Sequence, residues 1–170
     1  MALFRRSPGL PADVRARLTL IPGEALLASA ELVDGWAVAG TATLHVLRND
    51  GPVPVSHAWS DVDGAGLNPE TAELTIRWVD GSSPTVLHLA DDTATAFPRA
   101  LHERVQNSVV HSEKVDLSGG GVVRVVLRRG ADDALFTQVI GIGDVDLADP
   151  VTAAAVDAAE ARVRDAAGLR

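Results

Sequence analysis

From Glu24 to Leu89 the chain alternates apolar and polar residues with a period of two, broken at short intervals by turn signals. Leu26, Ala28, Ala30 and Leu32 alternate with Leu27, Ser29 and Glu31. Side chains of a strand point to opposite faces in turn, so this pattern describes a strand with one buried face. Asp34-Gly35 turns the chain, and Trp36 to Ala39 and Ala42 to Leu47 continue as extended segments. Asn49-Asp50-Gly51 is a second strong turn signal. Val53, Val55, His57 and Trp59 then share a face, and Asp61-Val62-Asp63-Gly64 interrupts them. Leu74, Ile76 and Trp78 share the next face, Asp80 to Pro84 turns, and Val86 to Leu89 closes the series. About seven short strands with tight connections predict an antiparallel barrel or sandwich.

The period then changes. Phe97, Leu101, Val105 and Val109 recur every four residues after Asp91-Asp92-Thr93, predicting one helix in which Pro98 falls in the first turn. Residues 111–170 read as a second unit. Val115 to Leu117 is a short strand, Gly119-Gly120-Gly121 a flexible connector, and Val122 to Arg129 and Leu135 to Ile142 a hairpin. Asp149 caps and Pro150 opens a final helix, with Val151, Ala155, Ala159 and Val163 expected inward and Glu160 paired with Arg164 outward. This unit offers little apolar surface of its own, so it is expected to pack on the strands before it. Residues 1–23 form a leader punctuated by Pro and Gly. Within it Leu10, Val14 and Leu18 would lie on one side of a short helix, as a packing arm.

A net charge of −8 argues against nucleic-acid and anionic-membrane partners, both of which need a basic field. Sparse aromatics, three Trp and three Phe with no Tyr, argue against a stacking platform for single strands. The absence of Cys excludes disulfides and thiolate chemistry and fits a reducing cytoplasm, the expected location. The start of the chain does not read as a secretory signal, and no apolar run is long enough to span a bilayer.

Seven short antiparallel strands followed by one amphipathic helix resemble the pleckstrin-homology superfold. "GEALLASAEL" (Gly23 to Leu32) is similar to the first strand of bacterial PH-like domains, "WAVAGTATLHVL" to the second and third, and "VPVSHAWSDVDGA" to the fourth. The chain also resembles a set of proteins from high-GC Gram-positive bacteria that share a "PGLP" leader and an "ERVQNSVVHSEKVDL"-like junction. The resemblance implies an α+β fold: a PH-like barrel with its capping helix over residues 24–110, a leader arm over 1–23, and a C-terminal hairpin-plus-helix unit over 111–170 packed on the barrel. It implies no activity. Lipid-binding members of the superfold hold phosphates with Lys and Arg near the first strand pair. Here that hairpin carries Glu31 and Asp34, with no cation expected nearby, so no phosphoinositide binding is expected.

Candidate sites are few. A two-residue turn at Asn49-Asp50 or Asp50-Gly51 puts Leu44 and Val46 on the face of Val55 and His57, and His45 on the other. That separates two of the five His and argues against a metal site. Asp144, Asp146 and Asp149 lack the central Gly and terminal Glu of a calcium loop. No Ser lies in a nucleophile elbow, and Ser56 and His57 are strand neighbours that point apart. Arg124, Arg128 and Arg129 form the densest positive cluster, a possible surface for an acidic partner. The sequence therefore leads to a binding or scaffold module for another protein, without catalytic residues, cofactor or metal. A carrier of a small apolar ligand is the alternative, and an enzyme comes third.

Overall fold

The computed structural model describes residues 9–51 and 53–169. Residues 1–8 of the leader, Pro52 and Arg170 lie outside the described residues. The architecture is α+β, with three antiparallel sheets. It divides into two compact units, Met1–Gln106 and Asn107–Arg170.

In the first unit β1 (Leu26–Leu32), β2 (Gly35–Gly40), β3 (Thr43–Arg48) and β4 (Val55–Ala58) form one sheet in chain order. A 3₁₀ turn at Trp59–Asp61 leads into a second sheet of β5 (Val62–Asn68), β6 (Glu73–Trp78) and β7 (Thr85–His88). Seven strands are present, but β5 begins at Val62, inside the Asp61–Gly64 stretch that reads as an interruption, because pairing with β6 extends it. The hydrogen bonding of the seven does not close into a barrel. Two separate sheets are joined by one isolated bridge, Leu32 to Leu89. Ala30, Leu32, Ala37, Ala39, Leu44 and Val46 of the first sheet meet Leu74, Ile76 and Leu87 of the second in one core. Helix α2 (Ala96–Ser108) adds Phe97 and Leu101, both essentially inaccessible to solvent.

The first sheet is buried on its other face as well. Val38 and Leu47 pack there with Val14, on the short helix α1 (Ala12–Ala16), and with Leu10 and Leu18. Within the described part of the leader, Leu10, Val14 and Leu18 therefore lie against the sheet. Leu26 joins this second cluster instead of the main core because the register of β1 shifts between Leu26 and Ala28. One extra residue at a bulge reverses the facing of everything before it.

The second unit orders its strands β10 (Leu135–Ile142), β9 (Val122–Arg129), β8 (Val109–Asp116). Val123, Val125 and Leu127 on one face of β9 pack with Val156, Ala159 and Val163 of helix α3 (Pro150–Ala166). A two-pronged pair ties β8 to α3: Arg162 Nε donates to Glu113 Oε1 at 2.9 Å and Oε2 at 3.0 Å. The Arg162 hydrogen bonds hold the Glu113 carboxyl below the usual range, against its partial desolvation.

Three local expectations change. Val109 is the first residue of β8 and half-exposed, not the last rung of the α2 stripe. β8 itself runs for eight residues where the sequence suggested three. Its His, Ser, Glu and Lys side chains put polar groups on both faces, so no alternation marks it, and pairing with β9 makes the strand. In α3 the buried stripe is Thr152, Val156, Ala159 and Val163, and Val151 is exposed. Each four-residue step overshoots a full turn by about 40°, so 151, 155, 159 and 163 drift off the face. Steps of four, three and four stay in phase. Glu160 accepts from Thr137 Oγ1 at 2.8 Å on the neighbouring strand.

Candidate functional site

The pairing of β3 with β4 sets the geometry of the first unit's polar groups. Leu44 lies opposite His57 and Val46 opposite Val55, while His45 lies opposite Ser56. This is the register that matching of the apolar faces requires, with His45 and His57 on opposite faces. It also puts His45 on the face of Ser56, a consequence that sequence reasoning left undrawn.

His45 is buried, and its Nδ1 lies 2.8 Å from Ser56 Oγ, on a residue exposed at the sheet edge. On the other side of the ring, Nε2 lies 3.1 Å from Thr43 Oγ1 and 3.6 Å from Glu24 Oε1. The Glu24 side chain is wholly inaccessible. Its carboxylate accepts from Thr43 N at 2.9 Å, from Thr43 Oγ1 in a short contact, and from Ile21 N at 3.2 Å. Burial alone would raise the Glu24 pKa, but the hydrogen bonds from Thr43 and Ile21 outweigh it and pull the group below its ordinary value. Gly40 makes the room. A Cβ there would lie 2.1 Å from Glu24 Oε1.

The opposite face carries a cleft of about 500 Å³, lined among others by His57, Asp61, Trp78, Asp80, Ser82 and Thr85. The His57 and Trp78 ring centroids are 4.2 Å apart, and Trp78 Nε1 donates to Thr85 Oγ1 at 3.1 Å, so the indole is fixed from two sides. Hydrogen bonds from the Ser82 side chain and main chain hold Asp80 below the usual carboxylate range. Val55, two residues before His57 on β4, and Val53 ahead of it are 55% and 71% exposed.

At the first hairpin, Val33 and Asp34 form the two-residue turn between Leu32 and Gly35. The expectation that no cation stands near this acidic tip is corrected. Gly35 pairs with Arg48 across the sheet, and Arg48 Nη1 donates to Asp34 Oδ1. The strand register brings together residues that are distant in sequence.

The three Arg of β9 have different surroundings. Arg124 and Arg128 share a face, as expected, but Arg128 is 1% exposed and its Nη1 donates to Ser108 Oγ at 2.7 Å. Arg129 is exposed, 3.5 Å from Asp133. Asp144, Asp146 and Asp149 border another cleft, but Asp146 accepts from Ala148 N and Asp149 caps α3 by accepting from Thr152 N. Among the described residues, no group of three or more His, Asp or Glu is placed to hold a metal ion. No described helix is long and apolar enough to cross a membrane. Compared with family models, curated proteins and solved structures, the chain matches none.

Proposed function

We propose that this chain is a protein-binding module whose first unit is a variant of the PH-like fold, and that it takes an extended, basic segment of a partner protein. The fold reading is supported by four strands followed by three and then a helix whose Phe97 and Leu101 fill the space between the sheets. The single observation that carries the functional reading is the β4 edge with its adjoining cleft. β4 is the last strand of its sheet, and such an edge can pair with an added strand. Beside it stand two exposed Val side chains, then an aromatic wall flanked by the carboxylates of Asp61 and Asp80. A fixed indole next to two carboxylates suits an ammonium or guanidinium group, by cation–π attraction and charge pairing. The net charge of −8 favours the same sign of partner and opposes nucleic acid and phosphoinositide headgroups. A carrier of a small apolar ligand is less well supported, because two carboxylates on the wall would be desolvated without compensation.

The test is a photo-crosslinking amino acid in place of Val55, in cells that express the chain natively. One discrete protein adduct is expected, lost when Asp61 and Asp80 are both changed to Asn. An adduct pattern indistinguishable from that of a crosslinker at exposed Val151 would refute the reading.

A further inference from the structure

We propose that the Ser56 hydroxyl is an activated nucleophile able to take an acyl or phosphonyl group from an activated ester, with His45 as its general base and Glu24, acting through Thr43, as the positioning residue. This goes beyond the binding reading and uses the opposite face of the sheet from the cleft.

The proton positions follow from the hydrogen bonds. A carboxylate only accepts, so the short Thr43–Glu24 contact uses the Thr43 hydroxyl proton. Thr43 Oγ1 can then only accept from His45 Nε2, 3.1 Å away, which fixes the ring proton on Nε2. In the neutral imidazole that leaves Nδ1 bare, and it accepts from Ser56 Oγ at 2.8 Å. The base is within reach of the proton it would remove, and its tautomer is set by a buried carboxylate behind it, which is the arrangement that activates a serine. The Glu24 and His45 side chains are closed to solvent, whereas Ser56 is exposed on the edge strand, where a reagent can approach it.

In the step itself, Ser56 Oγ bonds to the carbonyl carbon of the donor ester while its proton passes to His45 Nδ1. The bond from that carbon to the leaving alcohol breaks, and the proton on Nδ1 goes to the departing oxygen. The products are a Ser56 ester and the free alcohol, with no change of oxidation state. With a fluorophosphonate the new bond is Oγ–P and fluoride leaves.

The full chain should be treated with a fluorophosphonate probe and the labelled serine identified by peptide mass spectrometry. Ser56 should react at least about tenfold faster than Ser82, Ser83, Ser112 and Ser118, which are also exposed and serve as internal references. His45→Gln should slow the Ser56 reaction by about a hundredfold or more and remove the inflection in its pH–rate profile. Thr43→Val removes the hydroxyl between His45 and Glu24, so it should slow labelling and release the ring tautomer, at a cost in stability from the lost hydrogen bonds. Long-range proton–nitrogen spectra of the unaltered protein should show neutral His45 protonated at Nε2. Two outcomes need no variant and would each overturn the proposal: Ser56 labelling no faster than the reference serines, or a neutral His45 protonated at Nδ1.

Discussion

Changing Leu101 to Ala removes three carbons from a site that is 1% exposed, between Phe97 and the two sheets of the first unit. At about 0.8 kcal/mol for each buried methylene, the transfer cost alone is about 2.4 kcal/mol. The space left behind adds to this, because strands on both sides restrict how far the core can relax, and the total should fall within about 2–5 kcal/mol. Urea unfolding read by tryptophan fluorescence is the suitable assay. All three Trp, at 36, 59 and 78, lie in the first unit, so the signal reports the core that Leu101 fills. Val109→Ala, followed by circular dichroism because it lies in the second unit, is the control. A helix stripe at four-residue spacing would make it equivalent to Leu101, but it is a half-exposed strand residue and should change stability by less than about 0.5 kcal/mol. A Leu101→Ala loss below about 0.5 kcal/mol, or equal losses for both variants, would refute the placement of α2.

Three further outcomes are expected. Gly35→Ala should lower the melting temperature sharply, because the new Cβ would lie 1.9 Å from the Leu47 main-chain oxygen, and backbone in a sheet cannot step aside. In α3, Val156→Ala should cost more than about 1 kcal/mol and exposed Val151→Ala less than about 0.5 kcal/mol, by circular dichroism; equal effects would mean the helix is rotated. Glu24 is held below its ordinary value of 4.5, so its contribution to stability is complete above that pH and is lost as pH falls through the lower folded value. Glu24→Gln should therefore flatten the decline of stability below pH 4.5, and parallel acid limbs for the two proteins would refute this.

The parts of the fold legible in the sequence are those where one face is apolar and the other is not. Leu44, Val46 and the residues of β6 announce their faces, and matching apolar faces across Asn49-Asp50-Gly51 gives the β3–β4 register. Asp149-Pro150 announces a helix start by the chemistry of its cap. β8 stayed hidden because its side chains are polar on both faces and only a partner strand makes it extended. The shift at Leu26 stayed hidden because a bulge inserts one residue without a turn signal. At the polar site, the register that separated His45 from His57 was sufficient to pair His45 with Ser56. Glu24 was out of reach, because it lies ahead of β1 and meets Thr43 only where Gly40 leaves space.

The Glu24 network has two ends with different physical roles. At the buried end, Glu24 accepts from Thr43 and Ile21, and Ala25 N donates to Thr41 Oγ1 at 3.1 Å, so the start of β1 is fastened to the β2–β3 turn. Breaking this end leaves a carboxylate or its donors buried without partners, which is destabilising whatever the site does. Stability alone does not call for charge here, because apolar groups of similar volume often replace a buried polar cluster at no loss. At the other end, Ser56 is exposed, and fastening β1 does not involve its hydroxyl. Ser56→Ala therefore separates the two roles. It should leave the fold intact while abolishing reaction at that position, whereas loss of Glu24 should disturb both. A Ser56→Ala protein as destabilised as Glu24→Gln would mean that the hydroxyl serves only to satisfy a buried imidazole.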